Sequence, residues 1–233
     1  MTFRIGLVLG FAALCGCSSP SPAQGPGAKA PATRAPAATS AAARAQPART
    51  ATADPLEARA MGSPAAPITV YEMSDFQCPF CRRHALETWP AIEREYVATG
   101  KVRWVFLNYP LTSLHPNAAA AAQFAMCAAD AGKFWPVHDL LYRHQETWAP
   151  LKDPAPFLMT LADSVGIPRD RMLSCLQSPK ARETVEADAA GAARAGATST
   201  PSFYVEGGMI AGAYPIAVFR QVLDSIYRVK TGR

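Results

Sequence analysis

The sequence predicts an α/β fold in which a strand–helix–strand unit and a strand–strand–helix unit are separated by a helical insertion. Three observations predict it. Two apolar, strand-like runs flank a helix near the start of the domain, a long alanine-rich helical stretch follows, and a short hairpin precedes the last helix. The domain extends over residues 62–233, about 170 residues, which is long enough to bury a single core.

The first half of this fold is predicted between the lead-in to the domain and the second strand. The run Ile68–Met73 reads as a strand, and a helix is expected from about Cys78 to Ala98. The turn at Thr99–Gly100 then leads into a second strand, Val102–Leu107.

The helical insertion is expected to cover about residues 115–196. Its predicted helices are Ala118–Ala131, Phe134–Gln145, Phe157–Val165, Arg169–Leu176 and Lys180–Ala193. After it, two short strands flank a glycine-containing turn, and a helix closes the chain; these are Phe203–Val205, Met209–Ala211 and Ile216–Val229.

The first residues predict export. Arg4 supplies a positive charge, and Ile5–Leu14 is an apolar run that is too short to remain as a membrane-spanning helix. Residues 1–17 resemble a bacterial lipoprotein signal, in which Cys17, preceded by Gly16, becomes the lipidated N-terminus. The alternative is an ordinary secretory signal. Either signal leads to the cell envelope, on the periplasmic or extracytoplasmic side, where disulfides persist.

A disordered tether is expected at residues 18–61. This segment is rich in Ala and Pro and has no aromatic residue, so it cannot bury enough apolar surface to offset its ordering entropy. Six of the 23 basic residues and two of the 18 acidic residues precede residue 62, which leaves the domain a net charge of +1 out of the total of +5. A nearly neutral domain gives no indication of a nucleic-acid partner.

The segment Ser74-Asp75-Phe76-Gln77-Cys78-Pro79-Phe80-Cys81 places two cysteines three positions apart at the start of the predicted helix. Unpaired amides and the helix dipole stabilise a thiolate there, and Pro79 suits the first helical position. Half of a zinc site is the alternative, but zinc usually takes four ligands and the chain has no second pair of this kind. The motif therefore predicts thiol–disulfide chemistry, carried by a Cys78–Cys81 disulfide with no metal and no other cofactor.

The chain resembles the DsbA family of thioredoxin-fold proteins. Three segments carry the resemblance in this order: Asp75–Cys81, Gly132-Lys133-Phe134-Trp135 and Ser199-Thr200-Pro201-Ser202-Phe203. Together they span nearly all of the domain. The resemblance implies a thioredoxin fold with a helical insertion and a thiol–disulfide oxidoreductase activity.

Catalytic roles follow from the motif and the resemblance. Cys78 is expected to be the nucleophile, and the more buried Cys81 to resolve the mixed disulfide. Pro201 resembles the cis-proline that faces the redox pair, which would leave the backbone of Thr200 to bind an extended substrate segment; an ordinary trans-proline is the alternative. Glu72 corresponds to a buried acid that relays a proton to and from Cys81, unless it faces outward.

Aromatic residues around the motif suggest a substrate surface. Phe76, Phe80 and Tyr109 are candidates for an apolar rim that binds unfolded substrates, with ordinary core packing as the alternative. Because Phe80 cannot donate a hydrogen bond, we expect the pKa of Cys78 to be lowered less than in family members with histidine at that position. His84 is expected on the surface.

Two further cysteines lie inside the insertion. Cys127 and Cys175 form an even pair in an exported protein, which favours a structural disulfide that closes a loop of nearly fifty residues. The alternative is two buried free thiols.

These features predict a membrane-tethered oxidase of cysteine pairs in unfolded or cysteine-containing exported proteins. A quinone-linked thiol oxidase in the membrane would restore the disulfide. A competing interpretation is a reductase or isomerase kept reduced by a membrane reductant, although the expected monomer lacks the dimerisation module typical of isomerases. The sequence is also compatible with a non-catalytic peptide-binding chaperone or with a relative of glutathione transferases.

Overall fold

The computed structural model describes residues 55–232. A mixed sheet of five strands in the order β1-β3-β2-β4-β5 organises this part of the chain. The strands are β1 Ala60–Met61, β2 Ile68–Ser74, β3 Val102–Asn108, β4 Ser202–Val205 and β5 Gly208–Ala211. The central strands β2 and β3 run parallel, and each of the other neighbouring pairs is antiparallel.

One continuous helical segment connects β2 to β3. It contains α1, Pro79–Arg83, and α2, Trp89–Ile92, with wider π-type turns at His84–Thr88 and Glu93–Val97. At the end of each wide turn an amide bonds to the carbonyl five residues earlier. Pro90 has no amide hydrogen and therefore cannot donate a regular α-helical hydrogen bond. Its position accounts for the wide turn that ends just before it.

The insertion between β3 and β4 is entirely helical. It comprises α3 Ala118–Asp130, α4 Phe134–Arg143, α5 Gln145–Trp148, α6 Ala155–Ser164, α7 Arg169–Gln177 and α8 Pro179–Arg194. After the β4–β5 hairpin, α9, Ile216–Thr231, closes the described chain. The predicted fold class, an α/β fold with a helical insertion between its two halves, is therefore confirmed.

The apolar core has two main clusters. In one, Trp104 and Phe203 from the sheet pack with Trp89 and Phe219 from the helices. The other fills the insertion, where Cys127 of α3 is disulfide-bonded to Cys175 of α7. The disulfide joins the two cysteines that the sequence pairs.

The folded chain begins before residue 62, where the sequence places the end of the tether. Residues Glu57–Arg59 form a short 3₁₀ turn, and β1 then pairs with β3. The buried side chain of Arg59 forms an ion pair with Asp188 of α8. The predicted boundary is therefore corrected, because Arg59 has an internal counter-charge and is not a solvated tether residue.

The predictions for the signal, for lipidation at Cys17 and for the tether up to residue 54 lie outside the described residues. Within residues 55–232, no helix is long and apolar enough to cross a membrane. In the same range, no group of three or more His, Cys, Asp or Glu side chains is arranged to hold a metal ion.

Candidate active site

The two motif cysteines lie where β2 leads into α1. Cys78 has an extended backbone conformation and caps α1, and Pro79 occupies the first helical turn. The two thiols are not joined, and their exposed fractions are 4% for Cys78 and 0% for Cys81. The expected difference is observed: the nucleophile candidate is the less deeply buried sulfur.

The two thiols have opposite electrostatic properties. The pKa of Cys78 is lowered to about 6, and the largest cause is a hydrogen bond from Cys81. Burial acts in the opposite direction, whereas hydrogen bonds from Thr200 and from the amides of Cys81 and Phe80 lower the pKa further. Burial raises the pKa of Cys81 well above its usual value. At neutral pH, Cys78 is therefore a thiolate and Cys81 a thiol that donates to it.

The Thr200–Pro201 peptide bond is cis, just before β4. The Thr200 carbonyl oxygen lies 3.5 Å from Cys78 Sγ, which places this turn directly against the nucleophile candidate. The Thr200 hydroxyl is buried, and a hydrogen bond with this side chain is among the causes that lower the pKa of Cys78. The sequence places Pro201 and Thr200 at the site, and the structure brings both to Cys78.

Asp75 fixes the loop before the cysteines, a role that the sequence analysis missed. Its carboxylate accepts hydrogen bonds from the backbone amides of Gln77, at 2.7 Å, and Leu111, at 2.8 Å. The same carboxylate lies 2.8 Å from Nδ1 of His115. An aspartate that bonds an amide two residues later is typical of an Asx turn, so the sequence did carry a signal for the first of these bonds.

The insertion holds the motif from the other side. The buried side chain of Gln145, on α5, donates to the carbonyls of Phe76 at 2.7 Å and Cys78 at 3.0 Å. Gln77 donates to Ala149 at 2.9 Å. No local pattern marks Gln145, because its partners lie nearly seventy residues earlier in the chain.

Glu72 is buried on β2, as the sequence expects. Its Oε2 accepts a hydrogen bond of 2.8 Å from Nε1 of Trp104, while Oε1 has no partner within the described part of the chain. No contact between Glu72 and Cys81 is observed, so the structure does not bring these two groups into direct hydrogen bonding.

The expectation that His84 lies on the surface is wrong. Its ring is buried among Trp104, Phe203 and Phe219, at centroid distances of 4.5 to 6.1 Å. Burial lowers the pKa of His84 to about 4, so the ring is neutral at physiological pH. Its position one turn after Cys81 faces the core because the same helix face packs on β4 and α9.

The apolar rim is only partly as predicted. Phe80 is 56% exposed beside Cys78, with the Arg83 guanidinium 5.3 Å from its ring centre. Phe76, in contrast, is buried against Phe106 and Tyr142, with ring centres 5.0 and 5.1 Å away. The assignment of Phe76 to substrate binding is therefore corrected to core packing.

Tyr109 is half-buried, and its hydroxyl donates to the carbonyl of Ala197 at 3.0 Å. Other exposed apolar side chains lie on segments that touch the site. Leu114 precedes His115, the partner of Asp75, and Tyr214 follows Ala213, whose carbonyl accepts from Arg83. The sequence analysis did not single out Leu114 or Tyr214.

Comparison with known proteins gives a consistent family. The family model described as Thioredoxin matches residues 55–225. The Na(+)/H(+) antiporter NhaA 3 of Salinispora tropica is 32% identical over 174 residues, which cover 75% of this chain. The chain spans only about a quarter of that antiporter's length, 25%.

A second relative and a solved structure match more of their own length. The probable disulfide bond formation protein D of Bacillus cereus is 28% identical over 155 residues, covering 65% of this chain and 71% of that protein. The crystal structure of alpha-DsbA1 from Wolbachia pipientis superposes with a TM-score of 0.66 and 22% identity, covering 74% of this chain and 92% of that one. This last likeness concerns the fold.

Proposed function

The chain belongs to the thioredoxin family, and we propose that it is an exported thiol–disulfide oxidoreductase that donates the Cys78–Cys81 disulfide to folding proteins. The observation that carries the proposal is the position of Cys78 and Cys81 at the start of α1, with the carbonyl of the cis Thr200–Pro201 bond 3.5 Å from Cys78 Sγ. The lowered pKa of Cys78, about 6, agrees with it. A thiolate next to a protonated, more deeply buried thiol is the arrangement that thiol–disulfide exchange requires.

The proposed reaction starts from the Cys78–Cys81 disulfide. A substrate thiolate attacks Cys78 Sγ, so a substrate–Cys78 disulfide forms, the Cys78–Cys81 bond breaks, and its electron pair remains on Cys81 as a thiolate that takes up a proton. A second substrate thiolate then attacks the substrate sulfur of the mixed disulfide and releases Cys78 as a thiolate. The substrate loses two electrons and two protons; the enzyme gains both electrons and the one proton on Cys81, and the other proton goes to solvent.

The oxidising direction is favoured by the same electrostatics. A stabilised Cys78 thiolate lowers the free energy of the reduced form, which makes the disulfide a better electron acceptor. We therefore place the reduction potential toward the oxidising end of the range from about −120 to −270 mV that this class of protein covers.

We assign the surrounding residues supporting roles. Thr200 and Pro201 present the cis turn to an extended substrate segment, and Phe80 offers it an exposed apolar contact. Glu72 exchanges a proton with Cys81. Because no direct contact joins the two side chains, this exchange passes through an intermediate group.

Location and partners complete the proposal. A lipid on Cys17 would hold the domain at the membrane through the segment before residue 55, and a membrane thiol oxidase linked to quinones would reoxidise the pair. The substrates would be exported proteins with reduced cysteines.

The test is oxidative refolding of a reduced protein substrate by the disulfide form, together with the reduction potential in glutathione buffers. Cys78→Ser should abolish turnover, and Cys127→Ala/Cys175→Ala should retain it and serve as the matched cysteine control. Turnover by Cys78→Ser equal to that of the native chain would remove the catalytic assignment and leave a peptide-binding chaperone. A potential near about −270 mV would reverse the direction to that of a reductase.

A further inference from the structure

Two buried hydroxyl groups lie beneath the redox pair. Ser74 is the last residue of β2, and Tyr142 lies near the end of α4 in the insertion. Both side chains are buried, and their oxygen atoms are 3.1 Å apart. Neither residue belongs to the Cys78–Cys81 motif, and one of them comes from the insertion.

The peptide group that follows Ser74 contacts Cys81. The amide of Asp75 donates to Cys81 Sγ at 3.5 Å, so the end of β2 lies against this sulfur. Burial raises the pKa of Cys81, and a hydrogen bond with the Ser74 side chain opposes that rise. Ser74 therefore stabilises negative charge on a sulfur that has no access to water.

The second hydroxyl has two acceptors for its one hydrogen. Tyr142 Oη lies 3.1 Å from Ser74 Oγ and 3.4 Å from the carbonyl oxygen of Asp75. When Ser74 donates to Cys81, Tyr142 can donate to Ser74 over the shorter distance. When Ser74 donates back to Tyr142, the tyrosine can turn its hydrogen to the Asp75 carbonyl.

We propose that Tyr142 and Ser74 form a buried hydroxyl chain that donates to Cys81 and, through the Cys81 thiol, to the Cys78 thiolate. The proposal deepens the proposed function and rests on it. In this scheme the Ser74 hydroxyl donates to Cys81, and Tyr142 is a positioning residue that acts through Ser74. Each donor polarises the next, so the chain strengthens the bond that reaches Cys78.

The chain serves both halves of the exchange. When the substrate thiolate attacks Cys78 and the Cys78–Cys81 bond breaks, the electron pair stays on Cys81, and the Ser74 hydroxyl donates to it there. After Cys81 takes up its proton, the thiol donates to the Cys78 thiolate and Ser74 continues to donate to Cys81. The hydroxyls reorient but lose no proton.

The charged groups around Ser74 and Tyr142 do not remove the hydrogen that Tyr142 donates. Burial is the main cause that raises the pKa of Tyr142 well above its usual value. The negative charges of Cys81, Glu72 and Asp75 raise it further. Asp75 is itself engaged with His115. Tyr142 therefore keeps its hydrogen throughout the pH range in which Cys78 titrates.

The experiment measures the pKa of Cys78 in the reduced full-length chain from the ultraviolet absorbance of its thiolate. Ser74→Ala should raise this pKa by about 0.5–1 unit, the equivalent of one hydrogen bond, and Tyr142→Phe should raise it by less. Because Tyr142 acts through Ser74, the double variant should show the same pKa as Ser74→Ala alone.

Two controls separate this effect from general destabilisation. Tyr96→Phe removes a hydroxyl that bonds Asp224 at 2.9 Å, and Ser164→Ala removes one that bonds its own helix at Leu161, so neither should move the pKa of Cys78. Thermal unfolding of the oxidised variants confirms folding, and Tyr142→Phe keeps the test open if Ser74→Ala does not fold.

An unchanged pKa of Cys78 in folded Ser74→Ala and Tyr142→Phe overturns the hydroxyl chain. It is also overturned if the pKa shift in the double variant equals the sum of the shifts in the two single variants. The titration needs no substrate and no turnover. Failure of the refolding assay would therefore count against the proposed function and leave the result on the chain readable.

Discussion

Replacement of Arg59 by methionine should strongly destabilise the protein. Arg59 and Asp188 are 1% and 8% exposed, and the guanidinium binds both oxygens of the carboxylate. Asn108 also donates to Asp188, from its backbone amide at 3.0 Å and its side chain at 2.8 Å. The pair thus joins the start of the fold to the end of β3 and to α8.

The magnitude follows from what remains after the substitution. Leaving one partner of a buried ion pair uncompensated costs about 3–5 kcal/mol. Because the two bonds from Asn108 stay in place, we expect Arg59→Met to fall near the lower end, about 3 kcal/mol. For a domain of this size that loss corresponds to a decrease in Tm of about 6–12 °C.

The assay is denaturant and thermal unfolding of the oxidised protein. The double variant Arg59→Met/Asp188→Leu should recover most of the loss, because it removes both buried charges. Arg220→Met is the matched control: its pair with Glu95 is in contact with solvent, so its loss should destabilise the protein far less. A loss in Arg59→Met no larger than in Arg220→Met would refute the argument and return Arg59 to the tether.

The remaining predictions concern the cysteines and His84. Cys81→Ala should raise the pKa of Cys78 from about 6 toward 9, so its thiolate fraction at pH 7 should drop from about 90% to less than half, as measured by alkylation rate. In the native reduced protein, the lowered pKa of Cys78 contributes stability that is fully present above the unfolded value near 9 and is lost as pH falls through about 6; the oxidised protein lacks this dependence. Since burial lowers the pKa of His84 to about 4, stability should decline as pH falls from about 6.5 to 4, and His84→Phe should remove about 3 kcal/mol of that decline in unfolding experiments at several pH values. Cys127→Ala/Cys175→Ala should lower the free energy of unfolding by about 4 kcal/mol, from the entropy of a loop with a sequence separation of 48, without a change in turnover.

Each part of the site that could be predicted lies in a short segment with a recognisable sequence. Cys78 and Cys81 are three positions apart on one helical turn, and the turn before β4 contains Pro201. Glu72 was expected to be buried from the resemblance to the family, and it is. The cysteine spacing and the short segments that resemble the family mark these positions without reference to their distant neighbours.

The wrong predictions concern side chains that are covered by other elements of the fold. Phe76 and His84 both follow local patterns compatible with exposure, yet each is enclosed by rings from other elements: Phe76 by Phe106 and Tyr142, and His84 by Phe203. A helix or loop residue faces solvent only if nothing packs on that side. The sequence of one element does not state what packs against it.

By itself, the amino-acid sequence determined the order of β2 to β5, of the longer helices and of the redox pair, because hydrophobic periodicity, turn residues and the cysteine spacing act over a few residues. It did not predict β1, which needs β3 as its partner. Only the tertiary structure decided which buried groups meet. The Ser74–Tyr142 contact spans 68 positions and the Arg59–Asp188 pair 129. The burial that raises the pKa of Cys81 and the contact of Thr200 with Cys78 depend on such long-range packing, since each requires atoms that only the folded chain brings together.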